Sequence, residues 1–141
     1  MNAPISEVIA HALYDLGTTV LTNVPGWGGS ETFQSFNILS QKNMPISFNE
    51  EVAYSIAHGA SISGKRSAAI MKTHGFLKAC NSISDSLYTD LTAGLVLFLF
   101  DDKTGKHSDN IIDIEPVLNG IRIPYKISDN INIYNEIVDA Y

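Results

Sequence analysis

Cysteine is nearly absent from this chain: Cys80 stands alone among 141 residues. That excludes an internal disulfide and any Cys-x-x-Cys metal or redox motif, and it fits a reducing compartment. Basic runs are missing as well. Nine Lys and Arg against fifteen Asp and Glu leave a formal net charge of −6. The positive charges are scattered, so the sequence-independent pull toward a phosphate backbone is lacking and nucleic acid is not an expected partner. The longest apolar run, Ala93 to Phe100, is far shorter than the ~20 residues that cross a bilayer. Met1 to Leu13 lacks the basic start and apolar block of a signal peptide. No membrane association is expected, and a cytoplasmic location is. Repeats, low-complexity segments and linkers are absent too, so the expectation is one domain over residues 1–141, with 45% hydrophobic composition sufficient for a core.

What is present alternates. Ser6 can cap a helix carrying Val8, Ile9, Ala12, Leu13 and Leu16 at helical spacing and stopping at Gly17. A β-branched strand from Thr18 to Val24 ends in the turn PGWGGS, and Ser30 can cap a second helix to about Leu39. A short strand near Met44 to Phe48 leads into NEEVAYSIAHGASISGK, a helix with Val52, Ala53, Ile56, Ala57 and Ala60 as its buried stripe and Gly64 as its end. Ser67 to Thr73 reads as a buried strand followed by an HGF turn. A helix is expected from Ala79 to about Thr89, the strand GLVLFLF from Gly94, a short strand IPYKI, and a last helix from about Asn132. Continuous apolar strands separated by helices predict a mostly parallel sheet covered by helices on both faces, an α/β three-layer sandwich. In such folds ligands collect at the carboxyl ends of the strands, which places PGWGG, FNEE, THGF and DDKTGKHS along one edge.

Two readings stand for Glu50. Ser47-Phe48-Asn49-Glu50 matches the S-x-x-E capping box, in which the carboxylate folds back on the cap residue's N–H, and acids at a helix start gain ~0.3–1 kcal/mol from the helix dipole. Against that, the helix start falls on the ligand-binding edge. PGWGGS lacks both the GxGxxG spacing and the P-loop lysine, so it serves equally as a tight turn or a ligand-facing loop, with Trp27 free to cover a ligand or a partner. His74 and His107 follow strands and could carry protons near neutral pH, or simply be solvated. His11 and His58 lie within helices without an HxxxH or HExxH partner, so no metal site is expected. Cys80 reads as a small core residue, and Lys72 and Lys78, flanking THGF, could attract an anionic substrate.

Several stretches line up in order with one family. VLTNVPG, NEEVAYSIAHGASISGKR, AAIMKTHGF and GLVLFLFDD with KHS resemble the pyrimidine-binding (PYR) domain of thiamine diphosphate-dependent 2-oxo acid enzymes. The likeness is to the alpha subunits of sulfopyruvate and phosphonopyruvate decarboxylases, and from Phe48 through His107 also to indolepyruvate ferredoxin oxidoreductase. The resemblance implies the PYR type of the thiamine diphosphate-binding fold. It implies that Glu50 hydrogen-bonds the cofactor's pyrimidine nitrogen, favouring the imino tautomer whose exocyclic nitrogen deprotonates the thiazolium. Pro25, Gly26, Thr73 and Gly75 then line the cofactor site, and His74 becomes a candidate proton carrier.

In this family a GDG motif followed by Asn, in a second (PP) domain, holds the diphosphate through Mg²⁺. No GDG occurs here. The resemblance therefore implies a separate PP-domain beta subunit as partner, a dimer or heterotetramer, and a small 2-oxo acid as substrate. The expected activity is a thiamine diphosphate-dependent decarboxylase working only within that complex, the short chain favouring this type. The alternatives are the PYR half of an indolepyruvate-type ferredoxin oxidoreductase, and a non-catalytic domain that keeps the fold as a scaffold or regulator.

Overall fold

A computed structural model describes residues 3–107, 111–128 and 130–141. Three parallel strands, β1 (Val20–Asn23), β2 (Ser67–Lys72) and β3 (Leu95–Phe100), lie side by side in sequence order. Val20 pairs with Ser67, and Ser67 in turn with Leu95. The expected strand at Met44 to Phe48 shrinks to one parallel bridge, Ile46 to Asn23, on the outer side of β1. IPYKI forms no strand at all.

Six helices are described: α1 (Ile5–Asp15), α2 (Gly29–Ser40), α3 (Glu50–Ile62), α4 (Thr73–Ser86), α5 (Glu115–Ile121) and α6 (Ile133–Ala140). Alternation along the strands divides their packing. Leu21, Ala68 and Ile70, with Phe98 and Phe100, face a core built from Ile9, Leu13, Phe33, Phe36 and Ile137 of α1, α2 and α6. Met71, with Leu95, Leu97 and Leu99, faces Tyr54, Phe76, Ala79, Ile83 and Leu118 of α3, α4 and α5. Successive side chains of a strand point to opposite faces, so one three-residue stretch such as Ile70-Met71-Lys72 serves both cores. The result is the expected α/β three-layer sandwich, helices on both faces of a parallel sheet.

β2 is buried along almost its whole length, as a central strand should be, whereas β3 is half-buried throughout, because no further strand pairs with its outer side among the described residues. Small residues in β2, Ser67, Ala68 and Ala69, let the helices come close. Thr22 Oγ1 donates to the Ala53 carbonyl oxygen at 2.9 Å and Ser67 Oγ to that of Ala57 at 2.7 Å, tying α3 to two neighbouring strands. α3 buries Ala53, Tyr54, Ala57 and Ser61, so the expected stripe is rotated: Val52 is 50% and Ile56 39% exposed.

Helix starts differ from the sequence-based expectation. α1 begins after Pro4 with no side-chain cap, and Ser6 lies inside it. Ser30 sits in the first turn of α2, where its Oγ accepts from the Gly26 N–H at 3.0 Å. α4 starts at Thr73, directly off β2, so HGF is helix rather than turn. Gly17 and Gly64 do end α1 and α3, both at positive φ. α6 follows Asn132 as expected.

The Tyr141 ring packs on Gly94, and its hydroxyl donates to the Ser67 carbonyl oxygen at 2.8 Å. Burial pushes this phenol up to about 12, against ~10 for an ordinary tyrosine. The folded chain thus keeps a proton that the unfolded chain releases above pH ~10. Stability is complete below ~10 and falls as the pH climbs toward ~12, by about 2–3 kcal/mol. Urea unfolding across that window should show a shallower loss in Tyr141→Phe than in the wild type; identical slopes would contradict this role of the hydroxyl.

Candidate functional site

Because β1, β2 and β3 are parallel, their carboxyl ends share one edge, and Val24-Pro25, Thr73 and Asp101 follow them directly. The parallel bridge at Ile46 brings the start of α3 to the same edge. The four turns singled out in the sequence therefore do converge; Ser108, the last residue of DDKTGKHS, lies outside the described residues.

Glu50 is the first residue of α3, and the capping box does not form. Asn49 is the N-cap instead: its Oδ1 accepts from the Val52 N–H at 3.0 Å, while the Ser47 hydroxyl accepts from the Asn49 N–H at 3.1 Å. With the cap at Asn49, Glu50 is two positions too early to fold back as the box requires. Its carboxyl goes sideways, onto α4.

There it meets Gly75. A Cβ on Gly75 would lie 2.6 Å from Glu50 Cγ and 2.9 Å from Oε1, so only glycine admits the carboxyl in this place. The Glu50 side chain is 15% exposed. Oε2 is buried and accepts no hydrogen bond among the described residues; Lys78 Nζ, one turn beyond Gly75, stands 3.8 Å away. That separation makes an ion pair without a hydrogen bond. A buried carboxylate oxygen without a donor costs ~1–3 kcal/mol, which a structural acid would not be expected to retain. Glu51 is different: the Ser82 hydroxyl donates to its Oε1 at 2.7 Å. Gly75, Lys78 and Ser82 form one face of α4, and it holds both carboxylates of the Glu50-Glu51 pair.

The other candidates divide. Thr73 is buried, its Oγ1 donating to Asp101 Oδ1 at 3.3 Å, and this joins the ends of β2 and β3. The Gly26 backbone rests on the Lys72 stem, at 3.1 Å from Cγ to a notional Cβ. Pro25 and His74 are exposed. Glu50 and Gly75 are thus in contact, Gly26 and Thr73 lie at the adjoining strand ends, and no described contact joins Pro25 or His74 to the carboxyl.

Two features escaped the sequence reading. Lys78 could have been placed against Glu50 had α4 been started at Thr73, since Gly75 and Lys78 are three residues apart on a helix. The loop after β3 folds on Asp102: Thr104 Oγ1 donates to its Oδ1 at 2.8 Å and the His107 N–H to its Oδ2 at 2.6 Å. These bonds, that from the Thr104 hydroxyl foremost, hold the Asp102 carboxyl below the usual range. His107 in turn stacks on Trp27, centroids 4.4 Å apart and planes 4° from parallel. Among the described residues no group of three or more His, Cys, Asp or Glu could hold a metal ion, and no helix is long and apolar enough to cross a membrane.

Gly75→Ala should destabilise the wild type by ~1–3 kcal/mol through overpacking. In a Glu50→Ala background the new methyl has room, and the cost should fall to near zero or reverse through helix propensity. Urea unfolding of the four proteins checks this; equal costs in both backgrounds would show that the two residues do not touch.

No family model matches the chain. It is similar to indolepyruvate oxidoreductase subunit IorA of Archaeoglobus fulgidus, with 33% identity over 112 residues, 74% of this chain and 18% of that protein. It is also similar to the IorA subunits of Methanothermobacter thermautotrophicus and Methanothermobacter marburgensis, each at 31% identity over 108 residues, with the same coverage. The aligned region is therefore under a fifth of the length of these curated relatives.

Proposed function

We propose that residues 1–141 form one PYR-type unit, the pyrimidine-binding part of a thiamine diphosphate-dependent 2-oxo acid oxidoreductase of the indolepyruvate type. Similarity to three indolepyruvate oxidoreductase subunits favours this activity over the stand-alone decarboxylase. The observation that carries the reading is Glu50 Oε2: buried, without a hydrogen bond, and fixed over Gly75 at the carboxyl edge of the sheet.

The residues present fit the pyrimidine end of this cofactor. An acceptor or shared proton at Glu50 Oε2 is what a ring nitrogen needs, and Gly75 leaves the carboxyl the room to present it. When bound, thiamine diphosphate supplies the electron sink for cleavage of the bond to the carboxylate carbon. Glu50 orients the pyrimidine and holds or yields a proton at Oε2, a task that requires shielding from water. Gly26 and Thr73 line the same edge, and we read His74 and Pro25 as outer positions of the site. Among the described residues no group of three or more His, Cys, Asp or Glu could hold a metal ion; in this reading a PP-type polypeptide supplies the diphosphate and Mg²⁺ ligands and covers Glu50, in a cytoplasmic assembly.

In an assembly reconstituted with a PP-type partner and assayed with indole-3-pyruvate, Glu50→Gln should lower turnover ~10²–10⁴-fold, the range for a lost acid–base group. Melting temperature and assembly should be unchanged. Undiminished turnover would dismiss the catalytic role and favour a non-catalytic scaffold.

A further inference from the structure

Trp27 is the chain's single tryptophan, and it stands 48% exposed at the carboxyl edge. Its loop is anchored without help from the indole. On one side the Gly26 backbone lies on the Lys72 stem; on the other, Gly28 takes a φ of 76° with its Cα so close to the Phe100 ring that a Cβ would be 2.5 Å from Cδ1. The loop bearing His107 is likewise anchored without its ring, by the Asp102 carboxylate and by the ammonium of the same Lys72, which donates to the His107 carbonyl oxygen. Neither loop needs the ring pair for its shape. An aromatic pair that cements a fold is buried, whereas here His107 is exposed and the indole is half so. The 4.4 Å parallel stack nevertheless shows that the face of Trp27 accepts a flat ring at contact distance.

We propose that Trp27 is a stacking platform for the planar aromatic ring of a ligand at this edge, and that the His107 imidazole is a displaceable ring occupying the platform until that ligand arrives. The indole face supplies dispersion and quadrupole attraction to any flat π-system and discriminates against acids with small aliphatic side chains. Displacement costs one stack at an exposed position, because the Asp102 bond to His107 goes to its backbone N–H and persists when the ring swings out. The identification of that ligand with the substrate rests on the proposed function; the platform itself does not.

The single indole Nε1–H gives one resolved signal in a ¹⁵N-labelled chain. Titration with indole-3-acetate should shift it saturably, and titration with acetate should not. His107→Ala should lower the Kd for indole-3-acetate at least threefold, since no ring must be displaced, and Glu50→Gln should leave that Kd unchanged. Absence of a saturable shift in both the wild type and His107→Ala overturns the platform. A His107→Ala Kd that stays equal or rises overturns the displacement, and loss of binding in Glu50→Gln assigns the ligand to the carboxyl instead. Active Glu50→Gln enzyme with intact binding at Trp27 would remove the Glu50 reading and leave this one standing.

Discussion

The carboxyl of Glu50 is pressed against the Cα of Gly75, and the arrangement of the whole carboxyl edge follows from that contact. α3 must start at a fixed height so that its first side chain reaches across, and α4 must start without a loop so that its third residue lies beneath. The first condition is met by Asn49, which ends the extended segment and caps the helix. The second is met by Thr73, where the chain passes from strand to helix in one step. Oε2 is then left buried and without a hydrogen bond among the described residues. A fold that keeps such an atom carries a destabilising feature, of the kind that marks sites of binding or chemistry.

The sheet makes this contact possible because it brings two helices from distant parts of the chain against one face. Thr22 and Ser67 fasten α3 to β1 and β2, while Phe76, Ala79 and Ile83 seat α4 on Met71. On the opposite face a separate core, centred on Leu13, Phe36 and Ile70, holds the sheet from behind. The Trp27 loop and the Asp102 loop close the same edge above β1 and β3. The edge therefore carries a largely buried carboxyl on one side and a pair of exposed flat rings on the other, on strands whose spacing is set by backbone hydrogen bonding.

Much of this was legible in the residues. SAAIMK and LVLFLF announced their strands by continuous apolar character, and the convergence of four turns followed from assuming a parallel sheet. Misreadings arose where local rules compete. The Ser47-x-x-Glu50 pattern satisfies a capping box, yet Asn49 is an equally good cap closer to the apolar run, and tertiary contact with Gly75 favours it. Thr73-His74-Gly75 looked like a turn because glycine breaks isolated helices, whereas here its lack of a side chain serves a neighbour. IPYKI has strand composition but finds no pairing partner among the described residues, and composition alone cannot supply one. The Trp27–His107 stack joins loops distant in sequence and leaves no periodic trace.

The most direct measurement is the position of Glu50 Oε2 in a structure of this chain assembled with a diphosphate-binding partner and thiamine diphosphate. Oε2 should lie within hydrogen-bond distance of a pyrimidine ring nitrogen, with the carboxyl still seated on Gly75. A pyrimidine bound elsewhere, with Glu50 turned to bulk water or still facing only Lys78, would contradict it.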